Sequence, residues 1–178
     1  MDEKKFFMSL RKVVPSDLEY YLEQQASNGK MLKPVGESGF LFYEFYDAAP
    51  TKCKYVVDVS ALPKALYIET LINDNWEYLG RTLNCYVWRK CYEQERPNDF
   101  SDKECKRKHC LRMGLGFAVA ALVCLILLFA LIWGCMFEHR NGINSHIMMY
   151  VIEAIIQIPF VSYFAWAAKR LLVNGKSK

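Results

Sequence analysis

The chain has 178 residues, a formal net charge of +4 and 53% hydrophobic residues. That is enough for one small domain with appendages, and slightly more apolar than a soluble domain of this size. Seven cysteines without regular pairing exclude a disulfide-framed scaffold.

The opening "MDEKKFFMSL" has no long apolar run behind a basic one. No signal peptide is therefore expected, residues 1–100 are expected in the cytosol, and Cys53, Cys85, Cys91, Cys105 and Cys110 are expected reduced there, with Cys124 and Cys135 in lipid. Strands are predicted over 4–13, 39–48, 52–61 and 81–90. Two segments 48 residues apart echo each other, "VPSDLEYYLEQQASNGKML" from Val14 and "LPKALYIETLINDNWEYL" from Leu62. Each opens on an apolar residue and a proline, which a helix start tolerates, and each ends near Asn or Gly. Ser16 and Glu19 have the spacing of a capping box, and Gly29 suits the left-handed position after a helix. The order β-α-β-β-α-β predicts an α+β chain whose residues 1–92 form a cytosolic ferredoxin-like βαββαβ domain, with both helices on one face of a four-stranded sheet. An α+β sandwich of another topology is the alternative.

The pieces "LEYYLEQQASNGKMLKPVG", an aromatic strand, "KYVVDV", "LINDNWEYLGR" and a closing "YVWRK" resemble the family called domain of unknown function 2812. The resemblance covers about residues 4–90 and is carried most specifically by Asn28-Gly29, Tyr55–Asp58 and Trp76-Glu77-Tyr78 with Gly80. Asn75 stands where the family often has glycine, a departure that asparagine meets at positive φ. The resemblance implies a bacterial protein whose soluble N-terminal domain precedes membrane spans. It implies no activity.

A basic linker, 93–112, follows, with five basic and two acidic residues in 101–112. The uncharged stretch 113–137 would span about 37 Å as a helix, beyond the roughly 30 Å hydrocarbon core, and is predicted to be a transmembrane helix. A second span is predicted over 147–168, joined to the first by an extracytoplasmic loop, 138–146, too short for anything but an antiparallel hairpin. Residues 169–178 form a cytosolic tail. Basic residues cluster before the first span and after the second, so both termini are expected in the cytoplasm of a multi-pass cell-membrane protein.

The residues offer little chemistry. No nucleotide-binding, zinc-protease or nucleophile-elbow motif occurs, and no histidine lies in the predicted fold. No catalytic residue, metal site or cofactor is expected, although Cys105, His109 and Cys110 could conceivably hold a metal. Alternation leaves one sheet face open, presenting Phe7, Phe42, Tyr86 and Trp88 as a candidate interaction face. The alternative is that residues 91–112 fold back over it. Residues 1–100 hold 13 basic and 15 acidic side chains, a net of −2, which argues against nucleic acid. Lys106, Arg107, Lys108 and Arg112 are candidate contacts for anionic membrane lipid, or serve only as a topology signal. Within the membrane the candidates are Gly114 and Ala118 packed against Ser162, and the polar pair Glu153 and Gln157. That pair would meet a second copy or another membrane protein, or else Glu153 is protonated and satisfied by Gln157 or the interface. The expected function is a non-enzymatic interaction or regulatory module of the bacterial envelope. The alternative is an accessory subunit of a transporter or membrane enzyme complex.

Overall fold

The computed structural model describes residues 3–6, 8–35, 42–59, 65–82, 85–140 and 147–174. The elements in order are β1 (Glu3–Phe6), α1 (Met8–Arg11), α2 (Pro15–Ser27), β2 (Lys30–Leu32), β3 (Phe42–Asp47) and β4 (Cys53–Asp58). There follow α3 (Ala65–Asn73), β5 (Glu77–Thr82), β6 (Cys85–Cys91), α4 (Lys103–Arg140) and α5 (Ile147–Asn174). The chain divides into two compact units, Met1–His109 and Cys110–Lys178.

In the first unit the strands make two antiparallel three-stranded sheets, ordered β1-β3-β2 and β4-β6-β5. The duplication is therefore a β-α-β-β unit used twice with one strand order. The single four-stranded ferredoxin-like sheet does not form. Its failure has a local cause: each helix ends at a residue of positive φ, Gly29 (80°) or Asn75 (59°), and the chain turns straight into an additional strand. The Gly29 N–H donates to Ala26 O and the Trp76 N–H to Leu71 O, closing these helix ends. The predicted first strand also ends early, because α1 takes up residues 8–11. Its apolar residues at 6, 7, 8 and 10 are too few to distinguish strand from helix by period.

The two sheets share one core. Leu18, Leu22 and Ala26 of α2, Leu32, Tyr43 and Phe45 of the first sheet, and Tyr55, Val57, Leu79 and Val87 of the second pack together. A parallel bridge between Val35 and Gly80 joins the sheets, with the Val35 N–H donating to Leu79 O. Gly80 has φ 127°, and a Cβ there would run into the Val35 carbonyl oxygen. Arg89 adds a second tie: Nη1 donates to Leu32 O at 3.0 Å while Nε and Nη2 grip Glu77 at 2.9 and 2.6 Å.

All six residues of β4 are buried. Tyr55 and Val57 enter the layer under α2, whereas Val56 joins Leu71, Trp76 and Trp88 in a second layer against α3. The two helices therefore cover opposite faces of this sheet, not one face as expected. The strand register sets Cys53 directly opposite Cys91, and the two are joined by a disulfide, which corrects the expectation of reduced thiols.

In the second unit, α4 and α5 are long and apolar enough to cross a membrane. Residues sheltered from solvent recur at 110, 114, 117, 121, 124, 128, 131, 135 and 138 of α4, and at 150, 154, 157, 161, 164, 168 and 171 of α5. Steps of four and three are the period of a left-handed helix pair. The contacts run antiparallel: Tyr150 OH donates to Glu138 Oε1 at 3.1 Å, and Phe117 meets Phe164 with ring centroids 5.9 Å apart. Gly114 abuts Leu171 and Leu172. The loop residues 141–146 lie outside the described residues.

Gly80→Ala is expected to lower stability by about 1–3 kcal/mol through backbone strain alone, and by more if the Val35 bridge opens. Urea unfolding of the full chain in mild detergent would check this; an unchanged midpoint would remove the bridge from the fold.

Candidate functional site

Of the proposed sheet-face set, the described members Trp88 and Tyr86 lie on a covered face. Trp88 is fully buried, in van der Waals layers with Trp76, Val56 and Leu71. Phe100 completes this cover, with ring centroids 4.8 Å from Trp76 and 6.2 Å from Trp88. Tyr86 is half-buried beside the same cluster. Phe7 and the side chain of Phe42 lie outside the described residues. In β4 and β6, Tyr55, Val57 and Val87 do lie on the face opposite Val56, Tyr86 and Trp88. What alternation could not show was that α3 and the segment after β6 cover the second face. Asp58 belongs to this covered face, accepting a hydrogen bond from Tyr67 OH at 3.3 Å. Burial and the neighbouring Asp58 carboxylate raise the Tyr67 phenol above its usual range.

The basic linker is held to the first unit by charge, in keeping with the fold-back alternative. Arg96 Nη2 reaches Glu23 at 2.8 Å, and Glu23 also pairs with Lys54 at 3.2 Å. Lys106 Nζ reaches Glu19 at 2.6 Å and Asp99 at 3.3 Å. Lys106 is thus turned into the first unit, and its charge is neutralised there instead of facing lipid. Lys108 pairs with Glu104 at 2.9 Å, both being exposed. Arg107 and Arg112 are exposed.

Glu19 was expected to close a capping box. Instead α2 starts without any side-chain cap bond, and the Glu19 carboxylate accepts the Val57 N–H at 2.7 Å as well as Lys106. Burial pushes Glu19 above the usual carboxylate range, and Lys106 and the Val57 amide offset only part of this. The folded state therefore holds the Glu19 proton more tightly than the unfolded chain. That contribution is complete below the ordinary carboxylate value and is lost as pH rises through the folded value. Asp99 runs the other way. Burial opposes its charge, but hydrogen bonds from Ser101 and the Lys106 ammonium outweigh it, so its contribution is lost as pH falls.

The intramembrane set is divided between two surfaces. Gly114 is buried and Ala118 half-buried, but Ser162 and Ala165 are exposed. The small residues that α5 buries are Ala167 and Ala168. Gln157 occupies a position of the sheltered series, and its Oε1 is buried with no hydrogen-bond partner among the described residues. Glu153, one turn away, is exposed on the outer surface of the helix pair. Pro159 lies inside α5 immediately beyond Gln157. Its ring removes one backbone donor on the turn that Gln157 flanks.

No group of three or more His, Cys, Asp or Glu capable of holding a metal occurs among the described residues. Cys85 Sγ lies 4.0 Å from His109 Nε2. A family model described as protein of unknown function (DUF2812) matches residues 15–122. The chain belongs to that family. No curated protein and no solved structure matches it.

Two substitutions separate core from surface here. Trp88→Ala is expected to cost about 3–5 kcal/mol in urea unfolding, the range for removing a large buried ring. A loss under about 1 kcal/mol would return Trp88 to the surface. Glu19→Leu removes the nearer of the two acids beside the Lys106 ammonium, Asp99 remaining at 3.3 Å, and strands the Val57 N–H, at about 1–3 kcal/mol. The Glu19→Leu/Lys106→Met pair should lose clearly less than Glu19→Leu alone, and equal losses would show that the ion pair does not couple the two elements.

Proposed function

We propose that this DUF2812 protein is a membrane-anchored, non-enzymatic interaction or regulatory module of the bacterial cell envelope. It is multi-pass, with both termini in the cytoplasm, and works by packing its helix pair against a second copy or another membrane protein. One observation supports this above others: Glu153 is exposed on an otherwise apolar helix surface, one turn from the unpartnered Gln157 oxygen. An acid at mid-membrane costs roughly 2.5–3.5 kcal/mol on insertion scales, and such groups usually face protein or water. The described residues of α4 at bilayer depth offer the pair Cys124, Cys135 and apolar side chains. With Trp88 buried, this reading rests on the helix pair and not on the sheet face. The same exposed carboxylate would serve an accessory subunit of a transporter or membrane enzyme complex.

Basic clusters flank the apolar segments on the N-terminal side of the first and the C-terminal side of the second, which supports the cytoplasmic placement. Exposed Arg107 and Arg112 remain for anionic lipid headgroups.

Glu153→Leu is expected to leave membrane insertion intact, or improve it, while lowering the native mass of the detergent-solubilised complex. A variant that assembles and behaves as the parent at every expression level would make the carboxylate incidental. Cysteine reporters test the orientation. One at Asn141 should be labelled from outside intact cells and one at Asn98 only after lysis, and the opposite pattern would overturn the charge argument.

A further inference from the structure

We propose that Cys53 and Cys91 form a reversible redox pair, opened by a cellular thiol reductant that attacks Cys91. The two residues face each other across β4 and β6, with Cys53 at one strand's start and Cys91 at the other's end. The backbone ladder continues on both sides of them. Lys54 pairs with Lys90, and the Tyr92 N–H donates to Lys52 O at 2.9 Å. Opening the sulfur bridge therefore leaves the strands in register. The freed thiols stay within reach of each other, so a disulfide oxidant such as oxidised glutathione, itself reduced to two thiols, re-forms the bond without a chain search.

The two sulfurs are unequal. Cys53 is 3% exposed, packed into the layer that holds Leu22, Tyr55 and Val57. Cys91 is exposed at the end of β6. Thiol–disulfide exchange depends on which sulfur an incoming thiolate can approach, and here that is Cys91.

In the first step the reductant's thiolate bonds to the Cys91 sulfur. The Cys53–Cys91 bond breaks, its electron pair leaves on the Cys53 sulfur, and that sulfur takes a proton from water. A second thiolate, from the same dithiol or from another monothiol, then attacks the reductant sulfur of the mixed disulfide. Cys91 leaves as a thiolate and is protonated. Two electrons and two protons have entered the pair, and the reductant ends as its own disulfide.

Only the cellular setting rests on the proposed cytoplasmic placement, where the thiol pool is reducing. The chemistry is tested on the purified chain, so a failure of the orientation and a failure of the redox pair are read separately. The full chain in mild detergent, without denaturant, is equilibrated with mixtures of reduced and oxidised glutathione and quenched with N-ethylmaleimide. Peptide mass spectrometry then reads each cysteine. Cys53 and Cys91 should pass together from linked to free across the series and return when oxidised glutathione is restored. Glutathione adducts should favour Cys91 over Cys53 by at least about tenfold, the discrimination expected of an exposed over a buried sulfur. A bond that resists both glutathione and dithiothreitol until urea unfolds the chain would make it a purely structural cross-link and overturn the proposal. So would adducts that form chiefly on Cys53, or thiols that stay free in oxidised glutathione.

Discussion

The Glu19 carboxylate is the point on which three parts of the first unit meet. It leaves the start of α2, bonds the Val57 amide of β4, and receives Lys106 from the first turn of α4. β4 is an edge strand of its sheet, so its outer amides need partners that no neighbouring strand supplies. A helix laid beside such an edge satisfies it only if a side chain reaches across. Glu19 does this at the cost of burying a charge, and Lys106 reduces that cost. The segment from Arg96 to Lys106 is thereby fixed to the domain by two acids of one helix, Glu19 and Glu23. Phe100 between them closes the aromatic layer over Trp88.

Much of this was legible in the sequence, and the failures have physical reasons. The repeat, the helix beginning at Pro15 and the stops at Gly29 and Asn75 follow from proline and positive-φ chemistry, which act within a few residues. Period-2 alternation puts Tyr86 and Trp88 on one face, and the structure sets them there, opposite Tyr55 and Val57. Topology did not follow, because β2 has only three residues, too few to show a period, and because β5 was absorbed into the end of a helical pattern. Without those strands the halves look like βαβ units, and a ferredoxin-like sheet is the natural way to join them. A strand buried on both faces also looks different from one facing water: "CKYVVD" carries Lys54 and Asp58, which alternation alone assigns to solvent. Each instead finds a half-buried partner, Glu23 and Tyr67 respectively.

The candidate residues divide along the same line. Apolar length and the polar interruption in α5 are composition, visible without coordinates. That Glu19 would leave the capping box for the core, that Lys106 would follow it, and that Cys53 would meet Cys91 depend on pairing between residues 38 to 87 positions apart. Such pairings are set by the register of strands whose existence has first to be known. The disulfide is the clearest case: nothing in the spacing of seven cysteines marks 53 and 91, whereas one ladder position fixes them.

The helix pair poses a different problem, since its sheltered series is mainly apolar between the Glu138–Tyr150 hydrogen bond at one end and Gln157 within α5. In soluble coiled coils a polar residue at one seam position lowers stability but fixes register and partner number. In lipid the same residue has a further consequence. Hydrophobic burial no longer distinguishes seam from surface, so packing and hydrogen bonds decide which helices associate. Gln157 puts an unsatisfied oxygen inside the pair, and Pro159 loosens the backbone next to it. Glu153 puts a carboxyl on the outside at nearly the same depth, about 6 Å away along the axis. A helix pair that only anchored a domain would gain from leucine at both positions. Two polar groups on adjacent faces of one turn are thus the feature that anchoring leaves unexplained and that the proposed partner contact would account for.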